Sequence, residues 1–123
     1  VEDQDLVVLG MKAHQVSAVA AAVPGMLSAQ GLVLTAQNGI PWWYFLKIGG
    51  EHEGRKLESV DPGGEIARHM ADRVIGSVVY PAAEIAEPGV IRLIEGNRFS
   101  LAEIDNSKSD RVQAVSAAFT AAG

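Results

Sequence analysis

Cysteine is absent from the 123-residue chain. That excludes a disulfide framework and any thiolate metal site, and makes a reducing compartment the natural reading. Long hydrophobic runs are missing as well, because Gly, Pro or charge breaks every apolar stretch well short of the ~20 residues a membrane helix requires. Clustered basic residues are lacking too. Ten Lys and Arg are scattered against fifteen Asp and Glu, for a formal net charge of -5 and a pI near 5.1. Nucleic-acid binding relies on grouped Lys and Arg that release counterions, so that class of partner is excluded. His14, His52 and His69 show no H-x-x-x-H ligand spacing, so no metal site is expected. No G-x-S-x-G elbow supports nucleophilic catalysis. The early acids Glu2, Asp3 and Asp5 carry the wrong sign for a secretory or mitochondrial leader. The expectation is a soluble cytoplasmic protein with neither membrane nor nucleic acid among its partners.

What is present suits a packed core. Nearly half the residues are apolar, and the length fits one domain. Leu6 to Met11 is a continuous aliphatic run without polar alternation, which predicts a strand buried on both faces of a parallel sheet. Val16, Val19, Ala20 and Val23 recur at spacings of three and four, predicting a short amphipathic helix over 15–23 that Pro24-Gly25 ends. Leu32 to Ala36 returns as a second buried strand, completing one βαβ unit.

Farther along, Pro41 suits the first turn of a helix that would carry Trp42 to Leu46. Residues 49–64 read as an irregular Gly- and acid-rich excursion, with a weakly patterned strand at Lys56 to Val60. Glu65 to Ala71 predicts a short helix, and Arg73 to Tyr80 a strand ended by Pro81. Val90 to Glu95 and Arg98 to Glu103 flank Gly96-Asn97 and predict an antiparallel hairpin. Asp105-Asn106-Ser107 can cap a last helix from Lys108 to Ala122, striped by Val112, Val115, Ala118 and Phe119.

In open α/β sheets ligands bind outside the carboxyl ends of the strands. Polar residues following an apolar run there are candidate contacts, which singles out Lys12-Ala13-His14-Gln15 and Gln37-Asn38-Gly39. Each has an alternative reading. Lys12 is a ligand-binding ammonium or a solvated lysine at a strand end. Gln15 is a contact or an ordinary residue of the first helical turn. Asn38 is a donor and acceptor for ligand or, with Gly39, a tight turn. The rings of Trp42 to Phe45 supply buried area for core or partner, or form a substrate lid. The carboxylates of 51–65 read as solvated.

The order of these motifs, continued by Arg73-Val74-Ile75-Gly76 through Tyr80 and by Glu87-Pro88-Gly89-Val90-Ile91-Arg92, resembles the ketopantoate reductase family, the 2-dehydropantoate 2-reductases. The resemblance runs from about Asp5 to the last helix. It implies an α/β, partial Rossmann-like domain over 1–123: parallel strands with a crossover helix, then an antiparallel hairpin and a C-terminal helix. It also implies NADPH (NADP) as cofactor and a 2-keto acid as substrate, in pantothenate synthesis. By position it implies that Lys12 and Gln15 lie beside the cofactor, that Asn38 contacts the nicotinamide ribose region and approaches the substrate, and that Ala82 offers backbone to the cofactor. Tyr80-Pro81-Ala82-Ala83 departs from the family's common His-containing version. No G-x-G-x-x-G is present to meet a pyrophosphate, and the family's catalytic lysine lies in a helical domain beyond this segment. The expectation is a reductase segment with no catalytic residue of its own, inactive alone. A rival expectation is a non-catalytic α/β module for protein interaction, and self-association through an open sheet edge is expected in either case.

Overall fold

A computed structural model describes residues 1–123. The elements are β1 (Gln4–Leu9), β2 (Leu27–Thr35), α1 (Glu65–Met70), β3 (Val74–Val79), β4 (Ala82–Glu87), β5 (Val90–Glu95), β6 (Phe99–Ala102) and α2 (Asp110–Ala122), with 3-10 turns at Ala13–Ala18, Val23–Met26 and Pro62–Gly64. One sheet has the strand order β1-β2-β3-β6, and β4 and β5 form a separate ribbon. β1 runs parallel to β2 with Leu9 opposite Thr35. β2 runs parallel to β3 with Thr35 opposite Gly76, so the carboxyl ends of these three strands meet along one edge.

The long apolar runs of β2 and β3 are explained by burial on both faces. Val33 and Val74 point into one core with Leu9, Val16, Val23, Ile66 and Met70. Their neighbours Leu34 and Ile75 point into the other, covered by Val115 of α2. β1 departs from the expected double burial. It lies at the sheet edge, where α2 covers Leu6 but leaves Val8 48% exposed.

The crossover buries the expected stripe of Val16, Ala20 and Val23 but is not one α-helix. Val19 N–H donates to Val16 O at 3.0 Å and Ala22 N–H to Val19 O at 2.9 Å. These i to i+3 bonds are the tighter 3-10 pattern favoured by a short piece rich in β-branched valine and stopped by proline. Residues 42–46 likewise turn rather than form a helix, with Tyr44 N–H donating to Pro41 O and Leu46 N–H to Trp43 O. Residues 56–60 are not a strand: Val60 and Asp61 both donate to Leu57 O.

The hairpin forms elsewhere than expected. β4 pairs antiparallel with β5 across Pro88-Gly89, where proline's fixed φ and Gly89 at φ 82 supply what a type II turn asks for. The segment after Gly96-Asn97 instead becomes β6 and pairs antiparallel with β3. There Leu101 and Phe99 meet α2, the Phe99 and Phe119 rings standing edge to face at 5.6 Å. Burial against a helix and closure of β3's open edge outweigh local turn chemistry. α2 starts two residues late, capped by Ser109, whose Oγ accepts from Val112 N–H at 3.2 Å. Asp105 instead closes its own turn, accepting from Ser107 N–H.

Candidate functional site

Two cavities open at the shared carboxyl edge of β1, β2 and β3. The first, about 420 Å³, lies between Met11, Lys12 and Gln15 after β1 and Ala36, Gln37 and Asn38 after β2. The second, about 300 Å³, lies under the aromatic turn and is bounded by Pro41, Trp42, Trp43 and Tyr44, with Ser77 and Val78 of β3. Ala13, Gln37 and Asn38 border both. Lys12, Gln15 and Asn38 therefore meet at one cleft. Ala82 does not join them: it is exposed at the start of β4, opposite Glu95 in the ribbon.

Each cleft residue is held by its own segment. Gln15 Oε1 accepts from Lys12 N–H at 3.0 Å, and Gln15 N–H donates to Lys12 O at 2.9 Å. The glutamine thus closes the turn that presents the exposed ammonium, while its Nε2 remains a free donor. Asn38 Nδ2 donates to Val79 O at 2.9 Å, and its Oδ1 accepts from Val79 N–H at 3.2 Å. Its amide extends the β2–β3 ladder as a backbone unit would, and keeps one N–H and one lone pair for a ligand.

The aromatic wall rests on a glycine. A Cβ at Gly76 would stand 2.7 Å from Cη2 of Trp43, so the ring packs against β3 only because none is there. Trp43 Nε1 donates to Thr35 Oγ1 at 3.2 Å. Trp42 is buried in the main core. The expectation of core packing for this aromatic run holds for Trp42, whereas Tyr44 is 45% exposed.

The ionisable groups with displaced pKa line neither cavity. Hydrogen bonding to Arg111 holds the Glu103 carboxyl below its usual range against the opposing effect of burial, and the same bond raises Arg111. The Ser107 hydroxyl and amide lower Asp105. Arg98, then Ser100, lower the Tyr80 phenol, with the Arg98 guanidinium 4.0 Å over the ring centroid. No group of three or more His, Cys, Asp or Glu is placed to hold a metal ion, and no helix is long and apolar enough to cross a membrane.

Sequence reasoning named Gln37 within the Gln37-Asn38-Gly39 segment but gave it no role, and it passed over Ser77, and Trp42 as a hydrogen-bond donor. Their side-chain N or O atoms are buried without a partner. A visible signal existed for Ser77, the one polar residue in the run Val74-Ile75-Gly76-Ser77-Val78-Val79.

Parallel strands with ligand-sized cavities outside their carboxyl ends define an open-sheet, Rossmann-like protein. Comparison with known proteins narrows the class: the family described as Ketopantoate reductase PanE/ApbA matches residues 1–106, and the chain belongs to that family. It is 47% identical over 121 residues to a curated 2-dehydropantoate 2-reductase of Mesorhizobium japonicum, covering 98% of this chain and 37% of that protein. A crystal structure of a candidate ketopantoate reductase from Ralstonia solanacearum MolK2 superposes with a TM-score of 0.90 at 35% identity, over 99% of this chain and 38% of the other. A dimeric ketopantoate reductase from Staphylococcus aureus shares the fold, with a TM-score of 0.61 at 16% identity, over 98% of this chain and 35% of that one. The chain thus spans little more than a third of the relatives it matches.

Proposed function

We propose that this chain is the later half of the N-terminal Rossmann-type domain of an NADPH-dependent 2-keto acid reductase, with ketopantoate as substrate in pantothenate synthesis. The observation that carries the reading is the meeting of Lys12, Gln15 and Asn38 at one cleft beyond β1 and β2. One cation beside neutral amide groups suits the phosphate and ribose oxygens of a nucleotide. Lys12 would hold those oxygens by charge, Gln15 Nε2 would donate beside it, and Asn38 would present its remaining N–H near the ribose and substrate. Ala82, on the ribbon, would reach a cofactor only outside this cleft. When bound, NADPH supplies the hydride, and these residues supply placement. The glycine-rich turn for the pyrophosphate and the proton donor belong to other parts of such a reductase, acting in the cytoplasm.

The test is titration with NADPH of this chain and of a version extended at its amino end by a relative's glycine-rich unit. Tight binding by the extended version alone is expected, weakened about tenfold by Lys12→Ala, the scale of one lost charged hydrogen bond. Binding by neither version refutes the reading. Clear turnover of ketopantoate by the 123-residue chain would refute its second half, that the segment is inactive alone.

A second reading, self-association, is favoured by a specific observation. The outer edge of β1 is unpaired, and the β4–β5 ribbon exposes Ile85, Ile91 and Leu93 at 75%, 65% and 60%. Ile85 faces Ile91, and Ala83 faces Leu93, so these side chains share one apolar face. The dimeric family member from Staphylococcus aureus is consistent with association of such chains.

A further inference from the structure

The pair Asn38-Gly39 combines features that no other asparagine of the chain shares. Both residues are exposed. Gly39 stands at φ 104, with nothing within 4 Å of the place a Cβ would take, and its N–H makes no hydrogen bond within the chain. The side-chain amide of an asparagine is open to attack by the backbone nitrogen of the next residue, and the absence of a Cβ there is what lets that nitrogen approach. The other asparagines are the internal contrast. Asn97 precedes the bulky Arg98. Asn106 precedes Ser107, whose N–H is taken by Asp105 at 2.9 Å.

Val79 restrains the reaction. Its O accepts from Asn38 Nδ2 at 2.9 Å and its N–H donates to Asn38 Oδ1 at 3.2 Å. These are the bonds of a planar, conjugated amide, whereas attack makes Cγ tetrahedral and ends the conjugation, so the clamp favours the unreacted side chain. Both bonds are exposed. The clamp therefore opens by local fluctuation, without unfolding of the sheet.

We propose that Asn38-Gly39 is a self-modification site gated by Val79. When the clamp opens, Gly39 N gives up its proton to water and bonds to Asn38 Cγ. The Cγ–Nδ2 bond breaks, and the side-chain nitrogen takes up a proton and leaves as ammonia, which closes a succinimide ring. Water then adds to one of the two ring carbonyls, and the ring opens to aspartate or to isoaspartate, whose backbone runs through Cγ. The net change is one water consumed and one ammonia released, with no oxidation or reduction. Aspartate sets a second acceptor against Val79 O, and isoaspartate lengthens the loop by a methylene. Either product places a carboxylate where the two cavities share a border, and neither can rebuild the clamp. The gate thus opens once and stays open, whether or not the cleft takes a nucleotide.

The test incubates the folded chain at neutral pH beside the same chain in guanidinium chloride. Peptide mass mapping follows each asparagine, and elution order separates aspartyl from isoaspartyl products. In denaturant Asn38 reacts at least about tenfold faster than Asn97 or Asn106, since only its neighbour lacks a Cβ. Folding slows Asn38 about 5- to 150-fold, the worth of two neutral hydrogen bonds. Hydrogen exchange at Val79 N–H, whose acceptor is the Asn38 side chain, is slowed by a similar factor. Chains modified during the incubation, separated by anion exchange on their added charge, lose that protection at Val79.

Four results would each overturn the proposal. Asn38 is no faster than the other asparagines in denaturant; it reacts equally fast folded and unfolded; it stays intact in the folded chain while Val79 N–H exchanges freely; or modified chains keep Val79 as protected as before.

Discussion

Replacing Gly76 with alanine should destabilise the chain, and the sign of the effect should depend on Trp43. The added Cβ would lie 2.7 Å from Cη2 and 2.8 Å from Cζ2 of that ring, closer than real carbon atoms approach. Relief requires the indole to lift off β3, which strains its hydrogen bond to Thr35. Overpacking of this kind costs about 1–3 kcal/mol. Alanine returns about 0.4–1 kcal/mol by narrowing the unfolded ensemble where the backbone suits it, and Gly76 is not among the glycines with positive φ. The net expectation is a loss of about 0.5–2 kcal/mol, a fall in Tm of roughly 2–10 °C for a domain of this size. Thermal melts followed by circular dichroism measure it. In a Trp43→Leu background the clash is gone, so the same Gly76→Ala change should be neutral or stabilising by up to about 1 kcal/mol. That amounts to a coupling of about 1–3 kcal/mol in the double-mutant cycle. Equal costs in both backgrounds would refute the claim that the glycine exists to seat this ring.

The Glu103 carboxyl, 7% exposed in its side chain, pairs with Arg111, which also donates to Asp72 O and Val74 O. Its folded pKa lies below its ordinary value, so its contribution is fully present above the unfolded carboxylate range and is lost as pH falls through the folded value. Urea titrations from pH 6 to 3 should show stability dropping in the wild type and a flatter profile in Glu103→Gln. The substitution should cost about 2–4 kcal/mol at neutral pH, and an unchanged pH slope would contradict the assignment. Asp61, 2% exposed, accepts from Ile66 N–H at 2.8 Å and Ala67 N–H at 3.0 Å at the start of α1. Asp61→Ala should cost about 1–2 kcal/mol by chemical denaturation, with Asn recovering part of it. Ile91→Thr with Leu93→Thr on the ribbon should leave the melting temperature within a degree or two, since exposed sites change stability little. The same pair should shift sedimentation velocity profiles towards monomer, and an unchanged profile would exclude that face from self-association.

How much of this was legible in the chain depends on whether the cause was local. The runs of β2 and β3 announce burial on both faces because each residue supplies the evidence itself. β1 has the same composition, yet an apolar run cannot report whether a neighbour covers it, and Val8 is half exposed. The Val16, Ala20, Val23 stripe revealed which face is buried but not that its backbone winds as 3-10, since both windings bring residues three apart together. Gly96-Asn97 has hairpin chemistry, but β6 had a better partner in β3, and that choice is set by the open sheet edge. At the site, Lys12, Gln15 and Asn38 stood out because polar residues follow a buried strand. Gln37 was marked by the same rule, but Ser77 and the Trp42 donor were not, and the unmet hydrogen bonds of all three were not legible, because a missing partner is a property of the assembled fold.

Asn38 shows how positioning and contact combine in one side chain. Its two bonds to Val79 continue the β2–β3 ladder beyond Thr35 and Gly76, where the registered pairing stops. They fix the loop that divides the lysine cleft from the aromatic cavity, and the amide still keeps capacity for a ligand on either side. An aspartate of the same shape would keep the acceptor for Val79 N–H but place a second acceptor against Val79 O, where a donor is required. An alanine would free the loop altogether. Any ligand spanning both cavities therefore meets a partition whose position is set by backbone hydrogen bonding, and its two ends are held in separate environments: one cationic and open, the other neutral and aromatic.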